Sequence, residues 1–108
     1  MVHVQPIWID HELFLGTEVQ LPKTTLLVIQ SDTGYVMCGA LDVQLLREKL
    51  ASRNILAARA TGVRNLQELL DGTVESCTQA AEALGIEAGT PIREALLRMR
   101  AHERAERG

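Results

Sequence analysis

The sequence predicts an α+β domain: a mixed β-sheet of about five strands, made of N-terminal hairpins plus one βαβ crossover, packed by C-terminal helices. Three observations point to it. Residues 3–40 are short apolar segments separated by polar turns, the pattern of strands. From Asp42 the apolar period lengthens to that of a helix, then gives way to the compact apolar run Ile55–Ala60. Beyond Asn65 the remaining apolar residues fall at helical spacing. Strands first and helices last, with a single crossover, is an α+β order.

Each element follows from local chemistry. His3 to Ile9 and Leu13 to Leu21 flank the polar turn Asp10-His11-Glu12, which predicts a hairpin. Val19 and Leu21 alternate with Glu18 and Gln20, as in a strand with one wet face, and Pro22-Lys23 ends it. Leu26-Leu27-Val28-Ile29 is an unbroken apolar run, expected of a strand covered on both faces. Ser31-Asp32-Thr33-Gly34 supplies turn chemistry, with Gly34 free to take positive φ, and Tyr35 to Ala40 returns as a fourth strand.

Asp42 then reads as the N-cap of a helix carrying Val43, Leu46 and Leu50 on one face, which Asn54 closes. Ile55–Ala60 is a fifth strand, parallel to the fourth through a right-handed crossover. Asn65 and Glu68 have the spacing of a capping box and open a short helix that ends near Gly72. Val74, Cys77, Ala81 and Leu84 mark one face of another helix, which Gly85 terminates, and Thr90-Pro91 is an N-cap and N1 pair for the last one. The stripe Ile92, Leu96, Met99 stops there. Residues 1–99 are therefore expected to form a single domain, and 100–108 an arginine-rich, frayed and solvated tail in which Glu103 and Arg107 pair with each other.

Composition narrows the function classes. The chain has 108 residues and a net charge of −3, is 46% hydrophobic and 23% charged, and has only 3% aromatic residues. This length fits one domain that buries roughly two-thirds of its unfolded surface without a disulfide or metal staple. The lack of a basic excess and of stacking rings argues against a nucleic-acid partner. No apolar run approaches the ~20 residues that span a bilayer, and Met1–Pro6 has neither the basic nor the apolar region of a signal peptide. Cys38 and Cys77 lack any CxxC or Cys/His ligand spacing. A reduced, cytoplasmic protein without membrane, metal or cofactor is expected. The charge is uneven: residues 91–108 hold five Arg against three Glu, so the acidic balance belongs to the first ninety residues.

Two segments could carry chemistry. Gly34–Val43 places Cys38 near the carboxyl end of a central strand, ahead of the helix start at Asp42, where helix dipole and free N–H groups favour a thiolate. Gly39 would let a ligand approach the backbone. The bland alternative makes Cys38 a small buried residue sharing a face with Val36 and Ala40. No histidine lies near enough in sequence to mark a base, since His3, His11 and His102 are all distant.

The second segment, Arg59-Ala60-Thr61-Gly62-Val63-Arg64-Asn65, leaves the parallel strand. Ligands of open α/β sheets bind beyond the carboxyl ends of such strands. Two helix starts plus Arg64 would favour a small anion there, unless Asp42 pairs with Arg64 or Arg59 and merely ties the loops together. Arg59, a cation in an Ala-rich strand, must sit at an edge or have a partner. Cys77 reads as core. His3 and His11 lack a third ligand and read as surface residues.

The segment Gly34–Lys49, with Leu21-Pro22-Lys23-Thr24, Ala60-Thr61-Gly62-Val63-Arg64 and Arg93-Glu94-Ala95-Leu96-Leu97, resembles the YunC-like family of small bacterial and archaeal proteins. The resemblance covers most of residues 1–99. It implies a compact α+β fold with a mixed sheet and carries over no catalytic residue.

Three expectations follow. A small-ligand module would hold an anion between Cys38, Gly39 and Asp42 on one side and Arg59, Gly62 and Arg64 on the other. A homo-oligomeric interaction protein would instead cover an apolar patch or sheet edge with a second copy. A thiol enzyme would use Cys38 as nucleophile.

Overall fold

Strand β1 (Val2–Ile9) turns back on β2 (Glu12–Leu21) through a two-residue loop, Asp10-His11. Both loop residues are left-handed, with φ of 48° and 68°. That geometry matches a type I′ turn to the twist of the hairpin, and short polar side chains tolerate it best. The structure is a computed structural model, and it describes residues 2–39 and 55–107. A second tight turn, Pro22-Lys23, leads to β3 (Thr24–Gln30). Lys23 takes φ 67° directly after a proline, the arrangement of a type II turn.

The other strands are short. β4 (Gly34–Met37) runs antiparallel to β3, and β5 (Leu56–Arg59) pairs in parallel with β4, as the strand–crossover–strand pattern predicts. The helix expected from Asp42 to Asn54 lies outside the described residues. A two-residue strand, β6 (Ser76–Cys77), adds antiparallel to β5 and makes six strands in sequence order rather than five. The fold is thus α+β with a mixed sheet.

Helices α1 (Leu66–Asp71), α2 (Gln79–Glu82) and α3 (Ile92–Arg107) supply the cover. Their apolar faces meet Ile7, Phe14, Leu27, Ile29, Val36 and Ala58 in one core. Two glycines make this approach possible. A Cβ on Gly16 would stand 3.2 Å from Leu66 Cδ1, and one on Gly34 would stand 2.9 Å from both Leu56 and Met99 Sδ. Gly34 does not adopt the positive φ expected for it. It is buried, and its role is to leave space for α3.

Local chemistry also corrects the helical expectations. The stripe Val74–Leu84 is not one helix: Ser76 and Cys77 extend the sheet, and the Thr78 hydroxyl caps α2 by accepting from Ala81 N. Strand and short helix bury Val74, Cys77 and Ala81 in the same core, so a helical period arose without a continuous helix. Thr90 does not cap α3, because its hydroxyl accepts from Glu87 N instead. The anticipated frayed tail is the last part of α3, which runs to Arg107. Glu103 is buried within it rather than on a solvated face.

Candidate functional site

The ends of β4 and β5 bring two of the expected loops together. Ala60 N donates to the Met37 carbonyl at 3.0 Å, and a Cβ on Gly39 would lie 3.7 Å from Thr61 Cγ2. Cys38–Gly39 and Ala60–Thr61 are therefore neighbours at the carboxyl ends of the parallel pair. Asp42 lies outside the described residues.

Most of the polar groups at these ends are already engaged. Cys38 is buried in the main core, with its Sγ 3.5 Å from Leu27 N and 3.9 Å from the Thr25 carbonyl. Asn65 Oδ1 accepts from Glu68 N at 2.8 Å, and Glu68 Oε1 accepts from Arg64 N at 2.8 Å. This reciprocal cap resembles the predicted capping box, reaching one residue further back. It occupies amide donors that an anion would need. Arg59 pairs with Glu75 at 3.1 Å, as a half-buried cation requires. Gly62 is open and left-handed, at φ 74°, and Arg64 is exposed with its side chain in no ion pair among the described residues. No group of three or more His, Cys, Asp or Glu among the described residues could hold a metal ion, and no described helix is long and apolar enough to cross a membrane.

A buried carboxylate that the sequence did not mark lies at the opposite end of β4. Glu103 Oε2 accepts from Ser31 Oγ, Thr33 N and Thr33 Oγ1, each at 2.6 Å, and Oε1 lies 3.3 Å from Arg100 Nε. Burial pushes its pKa up, but hydrogen bonds from Ser31 and Thr33 outweigh this and hold it below the usual carboxylate value. Arg100 also stacks over Phe14 at 4.8 Å and donates to the Leu13 carbonyl. Beside this network is a cavity of about 490 Å³, lined by Thr33, Leu56, Leu84, His102, Glu103 and Glu106. Oε2 of this buried carboxylate is matched to three protein donors, whereas Oε1 has the Arg100 ion pair but no hydrogen bond, and the group reads as a lock between the β3–β4 turn and α3.

Exposed apolar residues gather on the sheet face opposite the described helices α1 to α3. Strand register puts Val2, Val4, Pro6 and Trp8 of β1 on it, beside Leu13, Leu15, Val19 and Leu21 of β2 and Leu26 and Val28 of β3. Across β1 to β4 this face carries no Asp, Glu, Lys or Arg, in a chain that is 23% charged. Trp8 is 62% exposed and Val2 64%; Val4, Leu13, Leu15 and Leu21 are exposed too. Toward β5 the same face is better covered: Ala57 is fully buried against Tyr35, Met37 and Ile55, and burial raises the Tyr35 pKa. A cavity of about 410 Å³ opens at the edge of this face, where Val4, Pro6, Leu13 and Leu15 meet Phe14, Asp32 and Arg100.

The alternation in β2 was legible, but its assignment was reversed. Glu18 and Gln20 lie on the helix side, where the sheet overhangs α1, whereas Val19 and Leu21 lie on the open face. Likewise Leu26 and Val28 are only half-buried, so β3 is fully covered on one face alone.

Comparison with known proteins bears on family and fold. Residues 37–99 match the model of a domain of unknown function, DUF1805. The chain is 54% identical over 99 residues to the uncharacterized protein YunC of Bacillus subtilis (strain 168), covering 92% of this chain and 98% of that one. The crystal structure of TA1206, a protein of unknown function from Thermoplasma acidophilum, superposes with a TM-score of 0.77 at 29% identity, covering 87% of this chain and 88% of that one. Most of the chain, fold included, is thus shared with these proteins, and the chain belongs to the DUF1805, or YunC-like, family.

Proposed function

We propose that this chain is a homo-oligomeric interaction module that works through the open face of its sheet. The observation that carries this reading is the uncharged apolar surface of β1 and β2. Scattered apolar residues are normal on a surface, but contiguous ones on one sheet face mark an interaction site. Copies of an acidic chain repel one another at long range, and a face without charge is where they meet at least cost. The polar pattern of β2 supports the same reading, because Glu18 and Gln20 are spent on the helix side while Val19 and Leu21 are left outward. Light scattering on the wild type and on Leu15→Lys tests it. The wild type is expected to scatter as an oligomer at micromolar concentrations, and the variant as a folded single chain. A wild type that scatters as one chain overturns the reading.

A second reading rests on Arg64, an exposed cation beside the open Gly62 at the ends of the parallel strands. It would hold a small anion such as a phosphate or carboxylate, with Cys38 and Gly39 as the opposing wall. A thermal-shift series with phosphate and small organic acids decides it: stabilisation that disappears in Arg64→Ala supports it, and no shift removes it. The buried position of Cys38 gives a thiol mechanism less support than either.

A further inference from the structure

Helix α3 changes its manner of docking partway along. Ile92, Ala95, Leu96 and Met99 are fully buried in the core, whereas Ala101 and Ala105, the apolar residues beyond them, are exposed. From Arg100 onward charged side chains make the contacts with the sheet. Arg104 pairs with Glu12 at 2.5 Å, and Arg100 Nη2 donates to the Leu13 carbonyl at 2.7 Å while its guanidinium covers the Phe14 ring. Glu103 Oε2 takes its three hydrogen bonds from Ser31 and Thr33.

This docking is incomplete. Arg100 Nε and Glu103 Oε1 are both buried and lie 3.3 Å apart, yet neither makes a hydrogen bond among the described residues. Buried polar atoms in that state carry a desolvation cost that access to water removes. The same pair stands between two cavities. Glu103 and Thr33 line the one of about 490 Å³ together with Leu56 and Leu84, and Arg100 and Ser31 line the one of about 410 Å³ together with Leu13 and Phe14. We propose that residues 100–107 form a strap that opens as one unit while Ile92–Met99 stays docked, and that opening joins the two cavities into a single apolar groove. Segments that bury little apolar surface are the ones that open locally, and this one gives up charged contacts but almost no hydrophobic burial. Its release also uncovers Phe14, which is 2% exposed beneath Arg100. The Glu103 carboxylate ties the far end of the device to the β3–β4 turn, so the Thr33 amide, 70 residues away, is freed when the strap lets go.

Hydrogen exchange of the full chain, followed residue by residue at urea concentrations below its unfolding transition, tests the proposal. Thr33 and residues 103–106 should exchange through one opening with a shallow urea dependence. They should be about tenfold or more less protected than Leu96 and Met99, which should follow the steep dependence of global unfolding. Glu103→Gln should speed exchange of Thr33 and residues 103–106 by a common factor of roughly tenfold. Glu12→Gln, which removes only the partner of Arg104, should speed the same set by less. Anilinonaphthalene sulfonate, a dye that brightens on apolar surface, should emit about twice as strongly or more with Glu103→Gln as with the wild type. Thr33 exchanging apart from residues 103–106, exchange that rises gradually along the helix, or the whole set following Leu96 overturns the strap. Joint opening with no added dye emission overturns the groove and leaves the strap standing.

Discussion

The Glu103 carboxylate on α3 accepts a 2.6 Å hydrogen bond from the Ser31 hydroxyl in the β3–β4 turn, 72 residues earlier in the chain. Thr33 donates twice more to the same oxygen, so one buried charge holds the turn against the last helix. Bonds of this kind contribute about 1.5–3 kcal/mol each when one partner is charged, and deleting the acceptor strands buried donors.

The first prediction concerns acid. The Glu103 pKa is lowered in the folded chain, so its contribution is complete above the ordinary glutamate value near 4.5 and is lost as pH falls through the depressed folded value. Urea unfolding of the wild type should weaken as pH drops below about 4.5, and Glu103→Gln should be weaker at neutral pH but flatter across that acid range. Equal pH slopes for the two proteins would contradict the assignment.

Removing residues 101–108 should destabilise the domain by about 2–4 kcal/mol, because Glu103 leaves with them and its donors remain. A tail that frays in solvent would be dispensable, and thermal denaturation distinguishes the two.

Gly34 and Gly39 make an internal comparison. An added methyl at Gly34 meets Leu56 and Met99 at 2.9 Å, so Gly34→Ala should cost about 1–3 kcal/mol. At Gly39 the nearest atom among the described residues is 3.7 Å away, and Gly39→Ala should change stability by less than about 0.5 kcal/mol. Denaturant midpoints of both variants check the contrast.

Lys23 runs the other way. Its φ of 67° is one that a side chain disfavours, and it follows Pro22 in a tight turn. Lys23→Gly should stabilise the protein by about 1 kcal/mol despite the freer unfolded chain. A lower melting temperature for the variant would contradict this.

How far these features could be read from the sequence depended on the range of the interaction. The hairpins, the parallel fourth and fifth strands and the Asn65 cap are set by neighbouring residues, and the period of the chain displays them. The two-residue strand β6 has no period of its own, and only pairing with Ala58 and Arg59 creates it. Glu103 looked like one member of a solvated helix face, because its partners Ser31 and Thr33 are visible only after folding. Of the two expected loops, the approach of Gly39 to Thr61 at the ends of the parallel strands was legible, but not the engagement of Arg59 with Glu75 or of the Arg64 amide with Glu68. The open face was encoded in the alternation of Val2, Val4, Pro6 and Trp8. Its sense was obscured by the habit of placing every apolar stripe against the chain's own core.

The central claim is that β1 and β2 present this face to another copy of the chain. Sedimentation equilibrium of the wild type from about 1 to 100 µM tests it most directly. The account predicts a reversible rise above one chain mass, largely insensitive to salt because β1 and β2 place no charged residue on this face. A single chain mass across the whole range would contradict it.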